Sequence, residues 1–212
     1  MTLPEAPKSV SLARSMQSCP CHVCAFFSSK EEEYRVMLPF MCEGYQAGDK
    51  LLHILDKDEG GERLARLQGA GIDVDNAERD GQLELRSWEQ AHVLDGRFDM
   101  HAMLDLHQRH LAGENSSYRL TRIWSNQEWV LAEGLPGAED LIEYEARFNY
   151  IWPKYENVYV CVYDVRKFSA SIMMQLLRTH PFAITNGLMY RNPFYVPPDE
   201  FLREIGKSRS GP

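Results

Sequence analysis

Three thiols and an imidazole fall within six residues, at Cys19, Cys21, His22 and Cys24. These are the side chains that zinc, copper or an iron–sulfur cluster takes, and the two-residue gap between Cys21 and Cys24 suits chelation. The second half of a zinc-finger pattern is missing, so Cys42 and Cys161 would have to arrive through the fold. Two readings follow. In one, Cys24 is a small buried hydrophobe and Cys19 and Cys21 are free thiols in a loop. In the other, the cluster answers to a metal ion, a haem or a change of redox state.

A second candidate is the apolar run Asn157-Val-Tyr-Val-Cys-Val-Tyr-Asp164. An acid at the carboxy end of a buried strand is the Walker-B pattern, in which the carboxylate holds Mg²⁺. Its partner, G-x-x-x-x-G-K-[ST], is absent from the chain. Ser28-Ser29-Lys30 takes its place without the glycines whose N–H groups would cradle phosphates. Hydrolysis of ATP is therefore not expected. Asp164 and Glu145 as an acid–base pair rank last, because two carboxylates alone are too common to define a reaction.

His101, His107 and His110 share a helix, read as a solvated face with one core-facing ring. His22 and His180 differ, since both flank strands. Several rings, among them Phe98, Tyr144 and Tyr195, fall near strand ends, where an α/β sheet binds ligands.

Elements that would position these groups alternate along the chain. Strands are expected at His22–Phe27, Lys50–Leu55, Gln82–Arg86, Tyr118–Trp124, Asn157–Asp164 and Phe182–Thr185. Between them run helices: one after Ser28 or Ser29 with Glu31 and Glu32 in capping-box positions, then Glu59–Gln68, Asp73–Arg79, Phe98–Leu111, Ala138–Trp152 and Ser169–Thr179. Pro39 predicts a kink in the first helix. The pattern is that of an α/β protein, a mostly parallel twisted sheet with helices on both faces. Residues 1–18 read as a flexible tail, 19–205 as a single domain and 206–212 as a second tail.

With a formal charge of −8 and one small basic cluster at Lys207 and Arg209, the chain is not expected to touch nucleic acid directly. No apolar run reaches the roughly 18 residues that span a bilayer. Five cysteines, an odd number with three close together, fit a reducing cytoplasm better than a disulfide framework.

Ordered motifs then carry a resemblance. His22-Val-Cys-Ala-Phe-Phe27, Leu38-Pro-Phe40, Glu43-Gly-Tyr-Gln-Ala-Gly48 and Asp95-Gly-Arg-Phe-Asp99 are followed by the Trp124 segment, Glu143-Tyr-Glu-Ala-Arg147, Tyr163-Asp164, Arg178-Thr-His-Pro181 and Asn192-Pro-Phe-Tyr195. Over residues 20 to 200 the chain resembles the MEDS domain, a sensory domain of methanogens and methylotrophs. The resemblance implies a RecA-like three-layer sandwich, related to the circadian-clock ATPases but lacking a P-loop. It implies a non-catalytic cytoplasmic sensor that binds a small organic ligand, such as a hydrocarbon derivative, and signals to a kinase, a transcription regulator or a second copy of itself. The expected ligand site is His22, Asp95, Phe98, Tyr144, Glu145, Asp164, His180, Asn192 and Tyr195. The expected metal set, if there is one, is Cys19, Cys21, His22 and Cys24.

Overall fold

The computed structural model describes residues 9–92, 98–112, 118, 120–131 and 138–209. A hairpin opens the chain, β1 (Ser9–Leu12) and β2 (Ser15–Ser18), followed by β3 (Cys21–Phe27), α1 (Lys30–Ala47), β4 (Lys50–Leu55), α2 (Gly60–Gly69), α3 (Val74–Arg79) and β5 (Leu83–Ser87). Then come α4 (Trp88–Ala91), α5 (Met100–Ala112), β6 (Thr121–Asn126), α6 (Ala138–Phe148), β7 (Asn157–Asp164), α7 (Ala170–Thr179), β8 (Phe182–Thr185), β9 (Leu188–Arg191) and α8 (Pro198–Arg209).

Seven strands form one sheet in the order β5-β4-β6-β7-β3-β8-β9, parallel throughout except for the β8–β9 hairpin. Both faces are covered, which is why β3 and β7 read as continuous apolar runs: every residue in them is buried. Strand alternation divides the core in two. Cys21, Val23, Ala25 and Phe27 pack with α1, α2, α3 and the β1–β2 hairpin. Cys24 and Phe26 pack with residues of α4 to α8. The architecture is the expected three-layer α/β sandwich.

Local chemistry fixes the element ends. Ser29 Oγ accepts the Glu32 amide at 3.2 Å, and Glu32 reaches back to the Ser28 amide at 2.8 Å, so α1 starts on a reciprocal cap. Gly48 ends it in the left-handed region at φ 72°. The helix continues through Pro39 as one element of 18 residues.

Three expectations need correction. Residues 9–18, read as a tail, form a hairpin, and Val10 and Leu12 are buried against α1. The strand expected at Tyr118–Trp124 runs Thr121–Asn126, in register with β7 from Asn157. The second tail, read as starting at 206, does not begin there, because a helix runs on to Arg209. That helix, α8, is opened by Pro198 with Asp199 and Glu200 in its first turn, where Pro and acids are favoured.

Candidate functional site

Four ligand-type side chains meet inside the α6 face of the sheet: His22 from β3, Cys161 from β7, Glu145 from α6 and His180, which caps the end of α7. All four are buried. His22 Nε2 lies 3.3 Å from Glu145 Oε2 and 3.4 Å from Cys161 Sγ. His180 Nε2 lies 3.6 Å and Cys161 Sγ 3.8 Å from the same carboxylate oxygen. The other oxygen, Oε1, accepts the Tyr163 phenol at 2.9 Å.

Burial governs the protonation of this group. It pushes His22 and His180 down to about 3, in His180 with help from the neighbouring His22 ring, so both imidazoles are neutral at pH 7. It pushes Glu145 up, against the pull of His180 and Tyr163, and lifts the Cys161 thiol well above its usual range, reinforced by Glu145. A carboxyl, a thiol and two neutral imidazoles, with their ligating atoms within 4.8 Å of one another, can trade protons or hold one cation.

The expected metal set does not form. Successive side chains of a strand point to opposite faces, so β3 sends Cys21 to the α1 side and His22 and Cys24 to the α6 side. Cys19 packs with the Cys21 side. No single ion can be shared across the sheet. Cys161, which had to arrive through the fold, does arrive, opposite Cys24 in register.

The expected ligand residues scatter similarly. His22, Glu145 and His180 converge, but within the sandwich rather than beyond the strand ends. Tyr144, one step along α6, turns instead to His107, with its hydroxyl 3.1 Å from Nδ1, and Phe98 packs edge-on to its ring. Asn192 donates its amide to the carbonyls of Leu177 and His180, at 2.5 and 2.7 Å. Tyr195 is half-buried, beyond the end of β9. Asp95 lies outside the described residues.

Asp164 does reach the carboxy ends of β3 and β7. Chain connections leave β3 and β7 in opposite directions across the sheet, and an α/β fold binds its ligand at such a switch point. Here the crevice is nearly filled, about 10 Å³ between Phe27, Ser29, Lys30, Glu33, Glu128, Val162 and Asp164. Arg166 takes both Asp164 oxygens, at 2.9 and 2.6 Å, and holds its carboxyl below the usual range. Lys30 is bound to Glu59 at 2.7 Å and Glu33 at 3.6 Å. Burial opposes its charge, yet these acids outweigh it and keep its pKa above the usual lysine value. Glu128, raised by burial, completes an acidic wall where phosphate oxygens would sit. Glu33 also accepts Arg63, Asn126 and the Trp124 indole, so the wall is tied into the core. The missing glycines are plain in the sequence, whereas Glu33, Arg63 and Glu128 carry no local signature there.

A cavity of about 460 Å³ lies elsewhere, between the β1–β2 turn, α1 and the β8–β9 turn. Val36, Pro39 and Phe40 give it an apolar floor, and Arg14, Glu32, Arg35 and Glu43 a charged rim. Asn186 and Gly187, both at positive φ, form the tight turn that closes one end.

The sequence model of a family described as MEDS, "MEthanogen/methylotroph, DcmR Sensory domain", matches residues 21–181. A curated relative, the transcriptional repressor DcmR of Methylorubrum extorquens (strain DSM 6343 / CIP 106787 / DM4), is 26% identical over 164 residues. The match takes in 75% of this chain and 57% of that protein, so the chain spans little more than half the relative's length. Among solved structures, the one described as "Structural study of Project ID PH0250 from Pyrococcus horikoshii OT3" is similar at a TM-score of 0.50 and 10% identity, over 84% of this chain and 92% of that one. That likeness concerns the fold alone.

Proposed function

The chain belongs to the MEDS family of sensory domains, and from that premise we propose that it is a non-catalytic sensor, which binds a small organic molecule and signals to a partner protein. The observation that carries this reading is the crevice at the ends of β3 and β7. An enzyme of nucleotide triphosphates needs backbone N–H groups and a free lysine there. This chain instead offers the carboxylates Glu33, Glu59, Glu128 and Asp164, with Lys30 already held by two of them. A ligand is recognised, in this reading, without being turned over.

The ligand's place is the groove under the β1–β2 turn. Its volume falls within the range of small-molecule sites, a few hundred cubic ångströms. The apolar floor suits an aliphatic or halogenated body, and the Arg14, Arg35, Glu32 and Glu43 rim suits one polar group. Two walls are turns, at Ala13–Arg14 and Asn186–Gly187, so occupancy would change segments that a partner can read from the surface. No helix among the described residues is long and apolar enough to cross a membrane. The relative's name, a transcriptional repressor, supports a regulatory output, supplied by a kinase or a transcription regulator.

The test is differential scanning and calorimetry of the full chain against small halogenated and methylated compounds, with MgATP alongside. A compound that raises the melting temperature of the native chain and not that of Val36→Trp supports the reading. Binding by none of the compounds, or magnesium-dependent release of γ-phosphate, overturns it.

A further inference from the structure

We infer that His22, Glu145, Cys161 and His180 form a closed four-ligand site for a divalent transition-metal ion of zinc type. This inference does not depend on the groove: the four residues lie in the opposite core layer, and the site can stand whether or not a small molecule binds.

Geometry is the first support. Zinc holds imidazole nitrogen and carboxylate oxygen at about 2.0–2.2 Å and thiolate sulfur at about 2.3 Å, so ligand atoms at the corners of a tetrahedron stand roughly 3.3–3.8 Å apart. The four contacts measured above run from 3.3 to 3.8 Å. All six pairs of ligating atoms lie within 4.8 Å. Bringing a pair from 4.8 Å to a tetrahedral edge closes it by roughly 1–1.5 Å.

Orientation is the second. Metal-binding histidines usually donate their remote N–H to a backbone carbonyl, and ligating carboxylates are hydrogen-bonded in turn. His180 Nδ1 sits 2.8 Å from the Leu176 carbonyl oxygen. A carbonyl can only accept, so Nδ1 carries the proton and Nε2 presents its lone pair. That Nε2 is fully buried, has no hydrogen-bond partner among the described residues and faces Glu145 Oε2. Glu145 is fixed likewise, with the Tyr163 phenol on Oε1 leaving Oε2 for the centre.

Charge is the third. A divalent ion with one carboxylate, one thiolate and two neutral imidazoles is neutral overall. Phe148, Tyr159, Trp152 and Cys24 surround it, an environment that penalises any net charge. Binding therefore displaces the Cys161 thiol proton, and the Glu145 proton where that carboxyl is protonated, to solvent. With all four positions taken by protein, the ion would pin α6 and the end of α7 to the middle of the sheet and leave no coordination position for substrate.

The experiment uses the full chain purified without chelator. Elemental analysis should find close to one zinc-type ion per chain. After removal of that ion, Co²⁺ should bind one-to-one and give the visible spectrum of a tetrahedral thiolate site. Cys161→Ser should lose the thiolate-to-cobalt band and weaken binding at least tenfold, and Cys24→Ser and Cys21→Ser should keep it. Should Cys161→Ser fail to fold, the native chain still decides. A folded native chain that takes up no Co²⁺ at equimolar concentration overturns the inference, as does a cobalt spectrum lost with Cys21→Ser and retained with Cys161→Ser.

Discussion

Tyr163 gives its phenol proton to Glu145 Oε1 at 2.9 Å, bridging the centre strand β7 and the helix α6 through a fully buried hydrogen bond. That single contact decides which carboxylate oxygen turns toward His22 and His180. The Tyr163→Phe substitution keeps the ring and strands a buried carboxyl oxygen, at a cost of about 1–3 kcal/mol. The urea midpoint should fall with an unchanged slope. A loss below about 0.5 kcal/mol would show that the bond carries little.

A second polar anchor lies on the opposite layer. Arg122 Nε meets Asp49 at 2.9 Å, its NH1 donates to the Phe40 carbonyl at 2.8 Å, and its NH2 reaches Glu43 at 3.1 Å. Arg122 and Asp49 are both buried. Replacing Arg122 by Met removes the cation and leaves the Asp49 charge inside, so destabilisation of about 3–5 kcal/mol is expected. Arg122→Met combined with Asp49→Leu should recover part of that loss, and a double variant no better than the single one would argue against a pair.

Gly44 makes that anchor possible. A Cβ there would stand 2.5 Å from Arg122 Cδ and 2.9 Å from Leu51 Cδ2. The Gly44→Ala substitution, which would favour an ordinary helix, should destabilise by about 1–3 kcal/mol through overpacking. A rise in thermal stability would show that Arg122 can move aside.

Acid sensitivity should come in part from His53 and His92. Burial holds both well below 6.5, aided by Arg63 beside His53 and by His107 beside His92. Below pH 6.5 the unfolded chain binds protons at these rings and the folded chain does not. Stability is therefore lost as pH falls, by up to about 1.4 kcal/mol per pH unit for each ring. Above 6.5 neither ring contributes. His53→Phe should flatten the stability profile between pH 6.5 and 4.5, and identical slopes for the two proteins would contradict the assignment.

Much of the frame was legible in the residues. Ser29 with Glu32, Gly48, and the apolar runs ending at Phe27 and Asp164 marked α1, β3 and β7, because caps and burial leave local signatures. Reading β3 from His22, one residue late, hid its main consequence. With Cys21 inside the strand, alternation alone separates Cys21 from His22 and Cys24. The meeting of Glu145 with Cys161 and His180 depends on how α6 rotates against the sheet, which no local pattern records. The β1–β2 hairpin was missed for another reason: Ser9-Val-Ser-Leu12 is too short a strand to stand out until Val10 and Leu12 find α1.

The groove as the sensing site is tested most directly by ¹H–¹⁵N spectra of the full chain during titration with a halogenated or methylated compound selected in the thermal screen. Amide shifts are predicted to cluster at Ser11, Ala13, Val36, Phe40 and Asn186, and to saturate at one molecule per chain. Shifts centred instead on Ser29, Lys30 and Asp164, shared with MgATP and followed by phosphate release, would contradict the account.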